Sequence, residues 1–173
     1  MPPSEGVLDV GRMSMTDHEK EGATMAWTPD QLRTQEGFRA FVDEAIVPFA
    51  DLWDRDEHLP EGIVRALADR GCLGATIPTD LGGGGYDSAT FGILCEEIGR
   101  GSASLLSLLT VHGMVCQALT IWGSDEQRAQ WLPRLATGAT LGAFALTEPN
   151  IGSDAKNVET TVTRLEDGSY RLD

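Results

Sequence analysis

The octapeptide Thr147-Glu148-Pro149-Asn150-Ile151-Gly152-Ser153-Asp154 concentrates groups that could do chemistry. Gly152 has no Cβ, so a ligand can approach its backbone closely. The backbone N–H groups from Asn150 to Ser153, with the hydroxyls of Thr147 and Ser153, make a cluster of donors. Such a cluster suits a diphosphate or the polar edge of a planar heterocycle. A structural reading is equally available: a proline turn held by an Asx-type bond from Asn150. The octapeptide fits none of the general nucleotide signatures.

Other candidates are weaker. Asp80-Leu81-Gly82-Gly83-Gly84-Gly85-Tyr86-Asp87 carries four consecutive glycines. It lacks the Lys-Ser or Lys-Thr of a phosphate loop and no strand precedes it, so a packed or flexible turn is expected. Cys72, Cys95 and Cys116 are far apart and have no zinc spacing. They read as buried, reduced thiols of a cytoplasmic protein. His112 lies in an apolar run and reads as a core histidine.

These groups need a scaffold. The chain has 173 residues, 41% hydrophobic and 23% charged, an ordinary globular composition. Its net charge of −14 argues against nucleic acid and against an anionic membrane as partners. No apolar run reads as long enough to span a bilayer. Residues 1–26 are polar, without a signal-peptide core, and read as a disordered tail.

From Trp27 the pattern is helical. Thr28-Pro29-Asp30-Gln31 is a helix start with a capping box. Phe38, Phe41, Val42, Ala45, Ile46, Phe49, Leu52 and Trp53 follow as one apolar stripe, which Pro48 should kink or interrupt. A second helix from Pro60-Glu61 to Gly71 would bury Ile63, Val64 and Leu67. A third, about Ser88–Gly99, would turn Phe91, Leu94, Cys95 and Ile98 inward. A fourth, about Ala103–Trp122, is apolar nearly all round and should lie centrally in a bundle. Ser124-Asp125-Glu126-Gln127 starts a fifth, ending at Gly138. At Thr140 the period changes. Leu141–Leu146 and Glu159–Leu165 read as strands, and Asp167-Gly168 as a hairpin turn into Ser169–Leu172. The fold class expected is mostly α: a bundle of about five helices over residues 27–139, then the first strands of a β-domain over 140–173.

Four stretches in order, "IPTDLGGGGYDS", "LCEEIGRGSAS", "WGSDEQRAQWLPRLATG" and "LGAFALTEPNIGSD", resemble the flavin-dependent acyl-CoA dehydrogenases. The resemblance covers most of the chain from Trp27. It implies FAD as cofactor, touched by Phe144, Leu146, Thr147, Gly152 and Ser153. Leu146 and Thr147 would meet the isoalloxazine ring. Ser153 would reach the diphosphate and lie beside the carrier arm of the substrate. Leu106, Ser107 and Thr110 would line the acyl pocket. The family often has Gly-Ala or a similar small pair where this chain has Asn150-Ile151.

The implied reaction converts an acyl-CoA or acyl-carrier-protein thioester to its α,β-enoyl form. An electron-accepting flavoprotein or oxygen would take the electrons. The family's catalytic glutamate lies in a C-terminal helical domain, so the resemblance names no catalytic residue here. It also implies a homo-oligomer, or completion by a second chain. A non-catalytic helical module that binds a partner, and a related flavin oxidase, are the other readings.

Overall fold

The computed structural model describes residues 27–173; the expected tail over 1–26 lies outside the described residues. Helices α1 (Pro29–Ala45), α2 (Ala50–Arg55), α3 (Glu61–Asp69), α4 (Ser88–Gly101), α5 (Ala103–Trp122) and α6 (Asp125–Ala136) come first. A hairpin of β1 (Val162–Arg164) and β2 (Tyr170–Leu172) follows. The chain is therefore mostly α. There are six helices among the described residues rather than about five, because the first stripe breaks at Pro48 into α1 and α2.

Local chemistry sets the helix starts. The Thr28 hydroxyl accepts from Gln31 N–H at 3.2 Å, and the Gln31 side chain accepts from Thr28 N–H at 3.0 Å. Ser124 and Gln127 repeat this box on α6, at 3.2 and 2.8 Å. Asp87 caps α4 and Ser102 caps α5. Each cap satisfies a donor that the helix itself cannot. Replacing Ser124 with Ala should lower stability by about 1 kcal/mol. Chemical denaturation measures this, and an unchanged midpoint would show that the box contributes nothing.

Packing follows the stripes with corrections. Phe38, Phe41, Val42 and Ile46 are buried as expected, but past the break at Pro48 Phe49 and Leu52 are exposed and only Trp53 packs, partly buried, against the core. On α4 the buried residues are Ile93, Leu94, Glu97 and Ile98; Phe91 and Cys95 are only half-buried. Both α1 and α5 pack on α4, and α6 packs on α5. Gly99 and Gly101 make the closeness possible. A Cβ on Gly99 would stand 2.9 Å from Leu106 Cδ2, and one on Gly101 would stand 2.6 Å from Val42 Cγ1. Burial pushes the Cys72 and Cys116 thiols up to about 11, so both stay protonated.

Helix α5 departs most from expectation. An 18-residue window of this 20-residue helix has a mean hydropathy of 1.6, so it would suit a membrane span by length and composition alone. It is not buried all round. Only Leu105, Leu109, His112 and Cys116 are buried, while Met114, Ile121 and Trp122 are exposed. Among the described residues the helices packed on it are α4 and α6.

The glycine run forms a packed turn. Gly83 N–H donates to Pro78 C=O at 3.1 Å, Gly84 N–H to Gly74 at 2.9 Å, Gly85 N–H to Ile77 at 2.9 Å and Tyr86 N–H to Ala75 at 2.8 Å. Donors spent on the protein cannot hold a phosphate.

After α6 the β-portion is small. Val162 pairs with Leu172 and Arg164 with Tyr170, antiparallel, and Gly168 takes a left-handed φ of 85° in the turn. The strand expected over Glu159–Leu165 shortens to Val162–Arg164. The strand expected over Leu141–Leu146 does not form: that segment has no ladder partner among the described residues. A strand exists only with a neighbour, which sequence period alone cannot supply.

Candidate functional site

The segment carrying the donor cluster is docked onto α5 at one point. His112 is buried, and its Nδ1 accepts from Gly142 N–H at 3.1 Å. A Cβ on Gly142 would stand 2.8 Å from Val115 Cβ, so the backbone can cross α5 this closely only with glycine. An accepting Nδ1 places the ring proton on Nε2, which has no partner among the described residues. Burial lowers the His112 pKa. The carbonyls of Leu135 and Leu73 oppose that shift, yet neither completes a hydrogen bond to Nε2. His112 is thus a neutral acceptor that ties the segment to the bundle, a role its place in an apolar run did not signal.

Beyond Gly142 the chain leaves the core. Phe144 and Leu146 are exposed, at 51% and 41%, and Thr147 is exposed beside them. Glu148 and Ile151 then close a tight turn, each N–H donating to the other's carbonyl at 3.0 and 3.1 Å. The Asx-type bond expected of Asn150 is not what holds this turn. Its side-chain N–H₂ donates to Glu159 Oε2 at 3.1 Å instead.

The Glu148 carboxylate reaches further along the chain. Its Oε2 accepts from Glu159 N–H at 2.6 Å and its Oε1 from Thr160 N–H at 2.9 Å. Hydrogen bonding from Thr160 and Glu159 holds this carboxyl below the usual range. The result is a closed loop, 148–160. Within it the N–H groups of Gly152, Ser153 and Asp154 donate to no group among the described residues. A Cβ built on Gly152 would meet nothing within 4 Å. Gly152 and Ser153 are exposed. This loop offers free donors and open backbone, as a diphosphate requires. The sequence reading expected donors from Asn150 to Ser153; of these the Ile151 N–H is spent on the Glu148 carbonyl, and the Glu148 side-chain bonds were not foreseen.

The expected acyl-pocket residues lie on α5, N-terminal to His112. Leu106 is half-buried and seats against Gly99 of α4. Ser107 is exposed. Thr110 is half-buried, and its hydroxyl donates to the Leu106 carbonyl at 2.9 Å and the Ser107 carbonyl at 3.2 Å. With its proton engaged there, the Thr110 oxygen is left to accept. The His112–Gly142 bond joins the helix bearing these residues to the segment bearing Phe144 to Ser153.

A well-formed cleft lies elsewhere. It measures about 650 Å³, between α2 and the α4–α5 junction, and Asp51, Asp54, Glu57 and His58 line it with Trp53. None of the residues expected from sequence lines it. Its carboxylates would repel a diphosphate.

The chain is similar to known proteins. A sequence model of the acyl-CoA dehydrogenase N-terminal domain matches residues 28–139. The (2S)-methylsuccinyl-CoA dehydrogenase of Cereibacter sphaeroides is 41% identical over 128 residues, which is 73% of this chain and 23% of that protein. A glutaryl-CoA dehydrogenase solved with glutaryl-CoA superposes with a TM-score of 0.74 at 35% identity, covering 79% of this chain and 36% of the other. A glutaryl-CoA dehydrogenase of Mycobacterium smegmatis, solved with FADH2, gives 0.74 at 30% identity over 79% and 35%. The chain thus spans between 23% and 36% of the length of these relatives.

Proposed function

The chain belongs to the acyl-CoA dehydrogenase family by its N-terminal domain, and on that premise we propose that it forms the FAD-facing N-terminal part of an acyl-thioester dehydrogenase. The observation that carries this reading is the loop 148–160, whose Gly152, Ser153 and Asp154 N–H groups are uncommitted among the described residues. Bound FAD would supply the hydride acceptor for conversion of an acyl thioester to its α,β-enoyl form.

The chain's own residues would bind and orient. Gly152 and Ser153 would hold the diphosphate with backbone N–H groups and the Ser153 hydroxyl. Leu146 and Thr147 would meet the isoalloxazine ring, Phe144 would also touch the flavin, and Ser153 would also lie beside the carrier arm. Leu106, Ser107 and Thr110 would line the acyl chain, which needs apolar walls with few polar groups. No catalytic base is assigned within these residues. The resemblance gives Glu148 no base role, and its two oxygens accept the Glu159 and Thr160 N–H groups. In this reading the carrier is CoA or an acyl carrier protein, the oxidant is an electron-accepting flavoprotein or oxygen, and the setting is a cytoplasmic homo-oligomer. The exposed apolar residues Phe144, Leu146, Val162 and Leu172 favour completion of the β-portion by further protein.

A visible spectrum of the chain titrated with FAD tests the cofactor. A shifted flavin band with quenched fluorescence is the expected result. An unshifted, fully fluorescent flavin over a helical circular-dichroism signal would remove FAD from this reading.

A further inference from the structure

We infer that Glu148 is a positioning residue, holding loop 148–160 in the form that a flavin diphosphate meets. This rests on the flavin reading above. Glu148 itself need touch no ligand. Its two oxygens engage two consecutive backbone N–H groups, at Glu159 and Thr160, with distances of 2.6 and 2.9 Å. Its own N–H and C=O meanwhile pair with Ile151. One residue therefore closes both the tight turn and the larger loop.

The chemistry of the carboxylate matters here. A neutral amide has one acceptor oxygen, and its NH₂ group would face the second backbone N–H as donor against donor. Two charge-assisted bonds become one. Asn150 and Glu159 form a parallel tie at 3.1 Å, and Asp154 accepts from the Asn157 side chain at 2.5 Å. The loop is thus braced from three sides, while its free donors lie between the braces at Gly152 to Asp154. Glu148 sits at the first brace and shares it with the turn. An unbraced loop must be ordered when the ligand binds, and that entropy weakens affinity.

The test uses the 173-residue chain, with FAD as the probe, in wild type, Glu148→Gln and Glu166→Gln. Glu166→Gln removes the same charge from an exposed turn position. Hydrogen exchange at the Glu159 and Thr160 amides and the helical melting curve are followed alongside. For Glu148→Gln the expected result is FAD affinity at least tenfold weaker, faster exchange at both amides and an unchanged helical melt. Glu166→Gln should match wild type. Equal FAD affinity in Glu148→Gln and wild type would overturn the positioning role and leave the flavin reading standing. An equal loss in Glu166→Gln, or a matching fall in the helical melt, would also overturn it, by assigning the effect to charge or to global stability. No FAD binding by wild type would overturn the flavin reading and this inference together.

Discussion

Gly83→Ala is expected to lower the unfolding free energy by about 3 kcal/mol, the upper end of overpacking costs. The site leaves no room for a methyl group. A Cβ on Gly83 would stand 2.1 Å from the Ile77 carbonyl oxygen and 2.5 Å from both its carbonyl carbon and its Cβ. Most of that is backbone, which cannot rotate aside as a side-chain tip can. Ile77 is itself fully buried beside Leu132 and Cys116, so the strain would pass into α5 and α6. At this chain length a loss of 3 kcal/mol lowers Tm by roughly 10 °C. Gly82→Ala is the informative comparison. Gly82 has a φ of 84°, but a methyl group there would meet nothing within 4 Å, so only left-handed strain of about 1 kcal/mol applies. Thermal and denaturant unfolding should rank Gly83→Ala well below Gly82→Ala. Equal effects would mean that the four-glycine turn is not packed as the hydrogen bonds describe.

The second large effect centres on Glu97. Arg39 of α1 donates to Glu97 Oε1 from Nε at 3.1 Å and from Nη2 at 2.6 Å. Arg100 donates from Nε to Oε2 at 3.0 Å, and its Nη2 meets Asp43 of α1 at 2.7 Å. Four side chains thus staple α1 to α4. The Glu97 side chain is only 1% exposed, although its cover is two half-exposed arginines rather than deep core. Burial alone would raise its pKa; the hydrogen bonds and charges of Arg39 and Arg100 together outweigh burial and hold it below the usual glutamate range. Glu97→Ala should cost about 2–3 kcal/mol, because the arginines can turn to water but the packed space is lost.

The same network predicts a pH dependence. A carboxyl with a lowered folded pKa stabilises fully above its unfolded value, about 4.3. That contribution fades as pH falls through the lower folded value. Wild type should therefore lose stability below about pH 4.3 more steeply than Glu97→Gln does. Parallel acid-denaturation curves for the two proteins would contradict the pairing.

Glu97 also illustrates what a sequence conceals. It stands four residues after Ile93 and three after Leu94, on the inward stripe of α4. The sequence reading placed Phe91 and Cys95 on that stripe and passed over a charge. A buried carboxylate carries no local mark; its partner Arg39 comes from a helix more than fifty residues earlier. The only available signal was a charged residue at an apolar phase. His112 is similar, since its acceptor role depends on Gly142, thirty residues on. Glu148 is the nearest of these cases, with partners eleven and twelve residues away.

Short-range physics was legible without coordinates. The capping boxes at Thr28 and Ser124, the limits of α5, the break at Pro48 and the Asp167-Gly168 turn each depend on residues within one or two turns of chain. The donor-rich character of Thr147–Asp154 depends only on residue types. Three other outcomes needed the tertiary fold. One was which face of α5 would be covered, since its apolar residues surround the axis and only neighbours choose among them. Another was whether Leu141–Leu146 becomes a strand, which requires a partner to accept its hydrogen bonds. The last was the fate of the glycine and Glu148 donors and acceptors. A hydrogen bond between distant segments is decided by where folding brings them, and no local pattern encodes that position.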